Sequence, residues 1–260
     1  MKKLILTLII ISFLFKLNAI GLDSQSCPVI ISLGEINLLS QTPSSTFNQP
    51  AIISNGISIS HSALHGFNEL NLFSLTYQFT AFNEIVSVGG NVLNNEYISE
   101  RVFSLGYTKK IIEFQVGGNI RHYYQKINGY DSVDAFTMNL GALWQNMMFT
   151  HGLSYSNISH TTSKGIELPS LVKYELMFSP FEITNFAISM EKERHFEERY
   201  GFGVSQKVRD YFYVNSGFLT NPSQFSGGVL IKLNQFEIGY GIRTHPDLDM
   251  THAIGITWRL

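Results

Sequence analysis

Cysteine is almost absent from this sequence. Cys27 is the only one in 260 residues, which excludes an intrachain disulfide and any thiolate cluster around a metal. Ser24-Gln25-Ser26 before it lacks the apolar and small residues of a lipoprotein cleavage site. Proline is sparse at 7 residues, and 18 basic side chains nearly cancel 20 acidic ones. A balance of this kind gives no electrostatic footprint for nucleic acid. Long apolar runs are also missing beyond the first residues, as are amphipathic helices of convincing length. No segment after the start could cross a bilayer as a helix, which takes about 20 apolar residues. Strands remain open, because a barrel strand needs only about 9 to 11 residues and hides its hydrophobicity in alternation.

What the chain does have is alternation. Ile112, Phe114, Val116, Gly118 and Ile120 interleave with Glu113, Gln115, Gly117, Asn119 and Arg121. Phe236, Ile238, Tyr240 and Ile242 interleave with Glu237, Gly239, Gly241 and Arg243, and Val172, Tyr174, Leu176 and Phe178 with Lys173, Glu175 and Met177. Period two is the signature of a sheet with one apolar face. Such segments recur at 56–63, 70–79, 85–93, 101–109, 111–124, 133–144 and 147–156. They continue at 169–178, 183–193, 198–208, 210–219, 225–233, 235–243 and 250–260.

The expected fold is therefore all-β, an antiparallel transmembrane β-barrel of about 14 strands (12–14). An even number returns both termini to one side. Tight joints at Lys109-Lys110, Asn146, Arg209 and Asn234 alternate with longer connections around 125–132, 157–168 and 244–249, as short periplasmic turns and long external loops would.

A soluble β-sandwich would alternate too. It would have to bury one face, and here the polar face carries Glu113, Arg121, Lys173, Glu175, Lys232, Glu237, Arg243 and Arg259. A hydrated lumen accommodates those charges where a dry core does not.

Three regions follow. Residues 1–19 form a signal peptide, with Lys2 and Lys3 before an apolar stretch and Leu17-Asn18-Ala19 at the cleavage point. Residues 20–55, with Pro28, Pro43 and Pro50 and no sustained alternation, form a plug or hatch that is luminal or periplasmic. Residues 56–260 form the barrel. Its last strand carries Gly255, Trp258 and Leu260 at the spacing of an outer-membrane assembly signal. The expected partners are accordingly outer-membrane lipid and the barrel assembly machinery, at the bacterial outer membrane.

Catalytic and metal-binding constellations do not emerge, and neither an enzymatic activity nor a cofactor is expected. The eight histidines are scattered, and His61 and His65, four apart on a strand, would stand nearly 13 Å apart at about 3.3 Å per residue. The run Glu191 to Arg199 reads as a solvated hairpin tip, and Asp247 and Asp249 as ordinary turn residues.

Phe218-Leu219-Thr220-Asn221-Pro222-Ser223-Gln224-Phe225-Ser226-Gly227-Gly228-Val229, Phe236 to Tyr240 and Thr251 to Ile256 resemble the closing hairpins of the fatty-acid transporter-like (FadL-like) outer-membrane barrels, in particular their PorV/PorQ-like branch. Phe47-Asn48-Gln49-Pro50-Ala51 resembles the Asn-Pro-Ala element after that family's N-terminal luminal segment, with Gln49 in the place of Asn. The resemblance implies one of two roles. One is passive import of hydrophobic small molecules such as fatty acids, through a hatch in which Phe47, Asn48, Gln49, Pro50 and Ala51 bind or gate the ligand before it leaves through the wall. The other is a non-transporting accessory barrel that engages a secretion-system protein, as in type IX secretion.

Overall fold

The computed structural model describes residues 27–260 except 68, 131, 160, 161, 164, 165, 169, 194 and 195. The proposed signal peptide and residues 20–26 lie outside the described residues.

Among those described, fourteen antiparallel strands close into one barrel. They are β1 (Gly56–Ala63), β2 (Asn71–Ala81), β3 (Glu84–Asn94), β4 (Ile98–Ile111), β5 (Phe114–Ile127), β6 (Val133–Asn146), β7 (Phe149–Ser156), β8 (Leu171–Phe181), β9 (Thr184–Glu193), β10 (Arg199–Arg209), β11 (Phe212–Leu219), β12 (Gln224–Leu233), β13 (Phe236–Arg243) and β14 (Thr251–Arg259). Each strand pairs with its neighbours in sequence, and β14 closes on β1 in the register Gly56↔Arg259 to Ala63↔His252. Two-residue turns join β2–β3, β4–β5, β6–β7, β8–β9, β10–β11 and β12–β13 at the end where Gly56 and Leu260 also lie. The longer connections, 157–170 among them, lie at the other end. These are the turn side and the loop side.

The alternation sorts onto two faces. Val172, Tyr174, Leu176 and Phe178 point outward while Lys173, Glu175 and Met177 point into the lumen and are buried. The outer face is a band of exposed apolar side chains, Leu75, Leu105, Ile120, Leu140, Ile188, Ile238 and Ile256 among them. An exposed apolar band flanked by aromatic residues is the surface that lipid requires. Both flanks are present. On the turn side Tyr77 stacks on Phe79 at 4.7 Å, Trp144 on His151 at 5.0 Å, Phe149 on Phe178 at 4.9 Å and Phe236 on Trp258 at 6.2 Å. On the loop side His61 meets Phe73 at 4.6 Å, His122 meets Phe136 at 4.8 Å and Phe218 meets Phe225 at 4.9 Å. The wall histidines keep a polar partner beside the ring, as with His61 Nε2 and Asn71 Oδ1 at 2.9 Å or His151 Nδ1 and the Tyr174 hydroxyl at 2.8 Å.

Three expectations need correction. Lys109 and Lys110 are not a joint: they pair with Val116 and Gln115, and the chain reverses at Ile112–Glu113. Ile112 has the apolar parity of β5 but sits at the tip with φ 56, so alternation alone runs one hairpin arm too far. Glu113 therefore belongs to the turn and not to the luminal face. His65 lies beyond β1 in a short 3-10 turn (Leu64–Gly66), where its ring meets His245 at 5.1 Å; a strand spacing does not apply to it.

The faces are testable through one residue. Leu140, at the middle of β6 and exposed on the lipid side, should lose about 2–4 kcal/mol of folding free energy in bilayers when changed to Arg. Urea-refolding titrations in vesicles measure this; a change of less than about 1 kcal/mol would place Leu140 away from lipid.

Candidate functional site

Residues 27–55 run inside the barrel, almost wholly buried. Pro28 starts the first helix, α1 (Pro28–Ser32), with the fixed φ that suits a first turn. α2 (Asn37–Ser40) and a 3-10 turn (Pro43–Phe47) follow. Backbone can approach the wall this closely because the wall offers glycine. A Cβ on Gly203 would lie 2.7 Å from the Leu33 carbonyl oxygen and one on Gly228 would lie 2.6 Å from Ser32 Cβ. Added at Gly217 it would collide with Gly34 N.

Two apolar clusters fill the space. Ile36, Leu38, Ala51 and Ile52 pack with Leu143 of β6, Met177 of β8 and Ala187 of β9, and Cys27, Val29, Ile30 and Leu33 pack with Leu230 of β12.

The segment's tip, Gly34–Glu35, has positive φ at both residues and carries the strongest electrostatic contact. The Glu35 carboxylate accepts from Arg199 Nη2 and Arg243 Nη1, while Lys173 Nζ donates to the Glu35 carbonyl at 2.6 Å. Lys173 also lies 3.5 Å from Glu175 and 3.6 Å from Glu191, and Arg199 lies 3.6 Å from Glu191. Three acids thus face three cations, which keeps a buried cluster neutral. Burial by itself would raise the Glu35 carboxyl, but Arg199, Arg243 and Lys173 outweigh it and hold the group down at about 2. Glu175 has a second role. Its carboxylate accepts from Asn37 N at 2.9 Å and Leu38 N at 3.1 Å, capping α2, whose own N-cap residue Ile36 has no side chain able to do so.

The five residues Phe47 to Ala51 lie together against β3 to β7. Asn119 Nδ2 donates to the carbonyls of Thr46 at 2.9 Å and Phe47 at 3.2 Å, Arg121 donates to Asn48 Oδ1 at 3.1 Å, and the Thr108 hydroxyl donates to the Pro50 carbonyl at 2.6 Å. Arg121 also lies over the Phe47 ring, 5.5 Å from its centroid. Four glycines form their seat. A Cβ on Gly89 would lie 3.1 Å from Phe47 Cζ, and one on Gly152 would lie 3.2 Å from Gln49 Nε2. At Gly117 it would collide with the Pro50 carbonyl, and at Gly141 with Gln49 Oε1. Gln78 then receives Ser54 N and donates to the Ile52 carbonyl at 2.9 Å. On the turn side Arg259 donates to the Gln41 carbonyl at 2.9 Å and to Ser54 Oγ, and pairs with Glu237 at 2.9 Å.

Asn119 opens a further connection. Asn139 Nδ2 donates to Asn119 Oδ1 at 2.7 Å, Asn157 N donates to Asn139 Oδ1 at 2.8 Å, and Asn157 Nδ2 donates to the Leu168 carbonyl at 2.6 Å. Leu168, from the connection between β7 and β8, is buried against Tyr123, Val133 and Ala135 on the inner wall. Leu168 therefore reaches down into the mouth.

The architecture is similar to that of two hydrocarbon channels. The CymD monoaromatic hydrocarbon channel aligns with TM-score 0.59 over 94% of this chain and 99% of that one, at 11% identity. A deltaS2 mutant of the TodX monoaromatic hydrocarbon channel aligns with TM-score 0.68 over 90% of this chain and 98% of that one, at 9% identity. At such identity the likeness is one of fold. No protein-family model and no curated protein matches the sequence.

Of the three residues expected to form an assembly signal, Trp258 points outward, with Nε1 3.3 Å from Gln235 Oε1, and Leu260 is exposed beyond β14. Gly255 faces the lumen, where an added Cβ would lie 3.0 Å from Pro28 Cδ, so it also seats the first turn of α1. The run Glu191 to Arg199 is not simply a solvated tip. Lys192 and Glu198 are exposed and paired at 2.7 Å, but Glu191 and Arg199 belong to the luminal cluster. The residue that sequence reasoning misses is Glu35, the only charged side chain from residue 24 to 60; that isolation is its one signal.

Holding Glu35 at about 2 against an ordinary 4.5 corresponds to about 3 kcal/mol favouring the docked, ionised segment. A depressed carboxyl contributes stability that is complete above its ordinary value and is lost as pH falls towards the folded one. Hydrogen exchange of amides 28–55 should therefore be constant above pH 5, after correction for intrinsic rates, and should accelerate between about 4.5 and 2. Glu35→Gln should release the same amides at neutral pH by roughly 3 kcal/mol with the strands unaffected. Protection that is identical in the variant would show that the cluster does not hold the segment.

Proposed function

We propose that this barrel is a passive conduit for small hydrophobic molecules across a bacterial outer membrane, with residues 27–55 as its hatch. The observation that carries the reading is how the hatch is held. Its backbone rests on wall glycines, and the segment is tied by one or two side-chain hydrogen bonds each with Thr108, Asn119, Gln78 and Arg259, worth about 1 kcal/mol net apiece for the neutral ones and about 1.5–3 for those of Arg259. Such ties can be broken in sequence without unfolding the wall. The strand ladder is continuous around the barrel, so passage here means displacement of the luminal segment, with Phe47 to Ala51 as the part to move. The fold shared with CymD and TodX supports a hydrocarbon-like cargo, and fatty acids are the first ligand class to try. No cofactor and no energy coupling enter this mechanism, and we infer no catalytic role.

A filled lumen also suits the second reading, a non-transporting accessory barrel for secretion or surface attachment. The buried Glu35 cluster favours it, since it seals the loop-side end with paired charge.

Flux separates the two. Gly117→Val places a side chain where the Pro50 carbonyl sits and should unseat Pro50 and Ala51, raising the open fraction roughly five-fold for each 1 kcal/mol by which docking of the hatch is weakened. Passage of a fluorescent fatty acid and of toluene into liposomes should rise accordingly. Gly118→Ala, on the outer face beside Leu140, should leave it unchanged. No passage through either the wild type or Gly117→Val, in protein shown to be folded, would overturn the conduit and leave the accessory barrel.

A further inference from the structure

The turn side carries side chains that neither the wall nor the hatch accounts for. Phe82, Ile112 and Met147 stand at the tips of the β2–β3, β4–β5 and β6–β7 turns with relative exposures of 101%, 87% and 92%. All three have positive φ, at 52°, 56° and 47°. This backbone suits Gly or Asn and is strained for a bulky residue, most of all for β-branched Ile. The β12–β13 turn has what a water-exposed turn takes, Asn234 at φ 52° followed by Gln235. The other three therefore accept both backbone strain and apolar exposure. Met148 completes the β6–β7 turn, and Phe181, Ile183 and Tyr211 continue the apolar rim at the β8–β9 and β10–β11 turns.

These tips are continuous with the lipid-facing wall. Phe79, stacked on Tyr77, precedes Phe82 by three residues, and Trp144, stacked between Phe114 and His151, precedes Met147 by three. Aromatic belts mark the boundary of the hydrocarbon. Three residues at about 3.3 Å each on a strand tilted by about 40° descend roughly 7 Å below that boundary. The headgroup layer on each side is about 5–7 Å deep. The tips thus reach the outer edge of that layer, and exposed Arg209 at the same level stands near the headgroup phosphates.

We propose that the turn-side rim from β2 to β7 is a lipid anchor: Phe82, Ile112, Met147 and Met148 lodge in the phospholipid interfacial layer and seat that arc of the barrel deeper than the polar β12–β13 turn. The occupant is the bilayer leaflet itself. Strain at the tips is offset there, because each apolar side chain exchanges water for the less polar headgroup layer. The anchor is independent of what, if anything, passes through the lumen.

Spin-label accessibility tests it. In full-length protein with Cys27→Ser, single cysteines at positions 82, 112, 147 and 234 are nitroxide-labelled and reconstituted into phosphatidylethanolamine and phosphatidylglycerol vesicles. Collision with oxygen is then compared with collision with a water-soluble nickel chelate. The labels at 82, 112 and 147 should show an oxygen-to-nickel ratio several-fold above that at 234. Ratios equal to that at 234 would overturn the anchor and point to a rim open to water and to a protein partner. A second measurement uses Phe82→Asn/Ile112→Asn/Met147→Asn, whose side chains suit the backbone, with the label at 148. It should gain chelate accessibility relative to the same label in the parent, and an unchanged value would equally overturn the proposal.

Discussion

No water reaches a backbone amide in the hydrocarbon core, so every wall N–H and carbonyl must find its partner in the chain. For strands this is possible only if the sheet closes, and the pairing of β14 with β1 from Gly56↔Arg259 to Ala63↔His252 completes the circuit. Closure has a further consequence. An eight-stranded barrel is just wide enough for its own side chains to fill; fourteen strands enclose more space than inward side chains can occupy. The volume must hold either water or more chain. Here residues 27–55 enter it, and the connection between β7 and β8 lowers Leu168 into the mouth.

Bringing irregular backbone into the lumen moves the same requirement one layer inward. The carbonyls of Thr46, Phe47, Pro50 and Ile52 and the amides of Asn37 and Leu38 have no ladder to join, and wall side chains serve them instead. This is why the inner face alternates small residues with amides, hydroxyls and charges. Glycine permits the approach, and the polar neighbours supply the bond. The Glu35 cluster is the extreme case, because burying one carboxylate demands cations and burying those demands further acids. Apolar packing could hold the tip with comparable strength. A carboxylate docked between Arg199, Arg243 and Lys173 does something packing cannot, since it fits at only one depth in the lumen.

These two layers differ in how much of them can be seen in sequence. The wall is legible because lipid enforces period two on nearly every strand, so Val172 to Phe178 and Phe236 to Ile242 declare their faces without reference to any partner. The reading slips where an apolar residue sits at a tip, as Ile112 does, because parity does not distinguish a lipid-facing position from a turn. The luminal segment is legible only as a loss of alternation. Its hydrogen bonds reach far along the chain, across 73 positions between Asn119 and Thr46 and 58 between Thr108 and Pro50, and no local period encodes them. Family resemblance singles out Phe47 to Ala51, but the glycine seat beneath them is visible only once β3, β5, β6 and β7 lie side by side. Arg199 and Glu191 are obscured by the charged run around them. Extending the strand parity by one residue past Met190 turns Glu191 inward.

Asn119, Asn139 and Asn157 show what such a second layer can transmit. Each side-chain amide has one donor end and one acceptor end. Asn119 spends its donor on the hatch and accepts from Asn139; Asn139 accepts in turn from the Asn157 backbone, whose side chain donates to Leu168. The amides of Asn119 and Asn139 point the same way along this series, and neither can reverse without leaving a buried polar group unsatisfied at its neighbour, which costs about 1–3 kcal/mol. The mouth and the hatch are therefore not independent. The series ties the Leu168 carbonyl at the mouth to the Thr46 and Phe47 carbonyls of the luminal segment along the neighbouring strands β5 and β6.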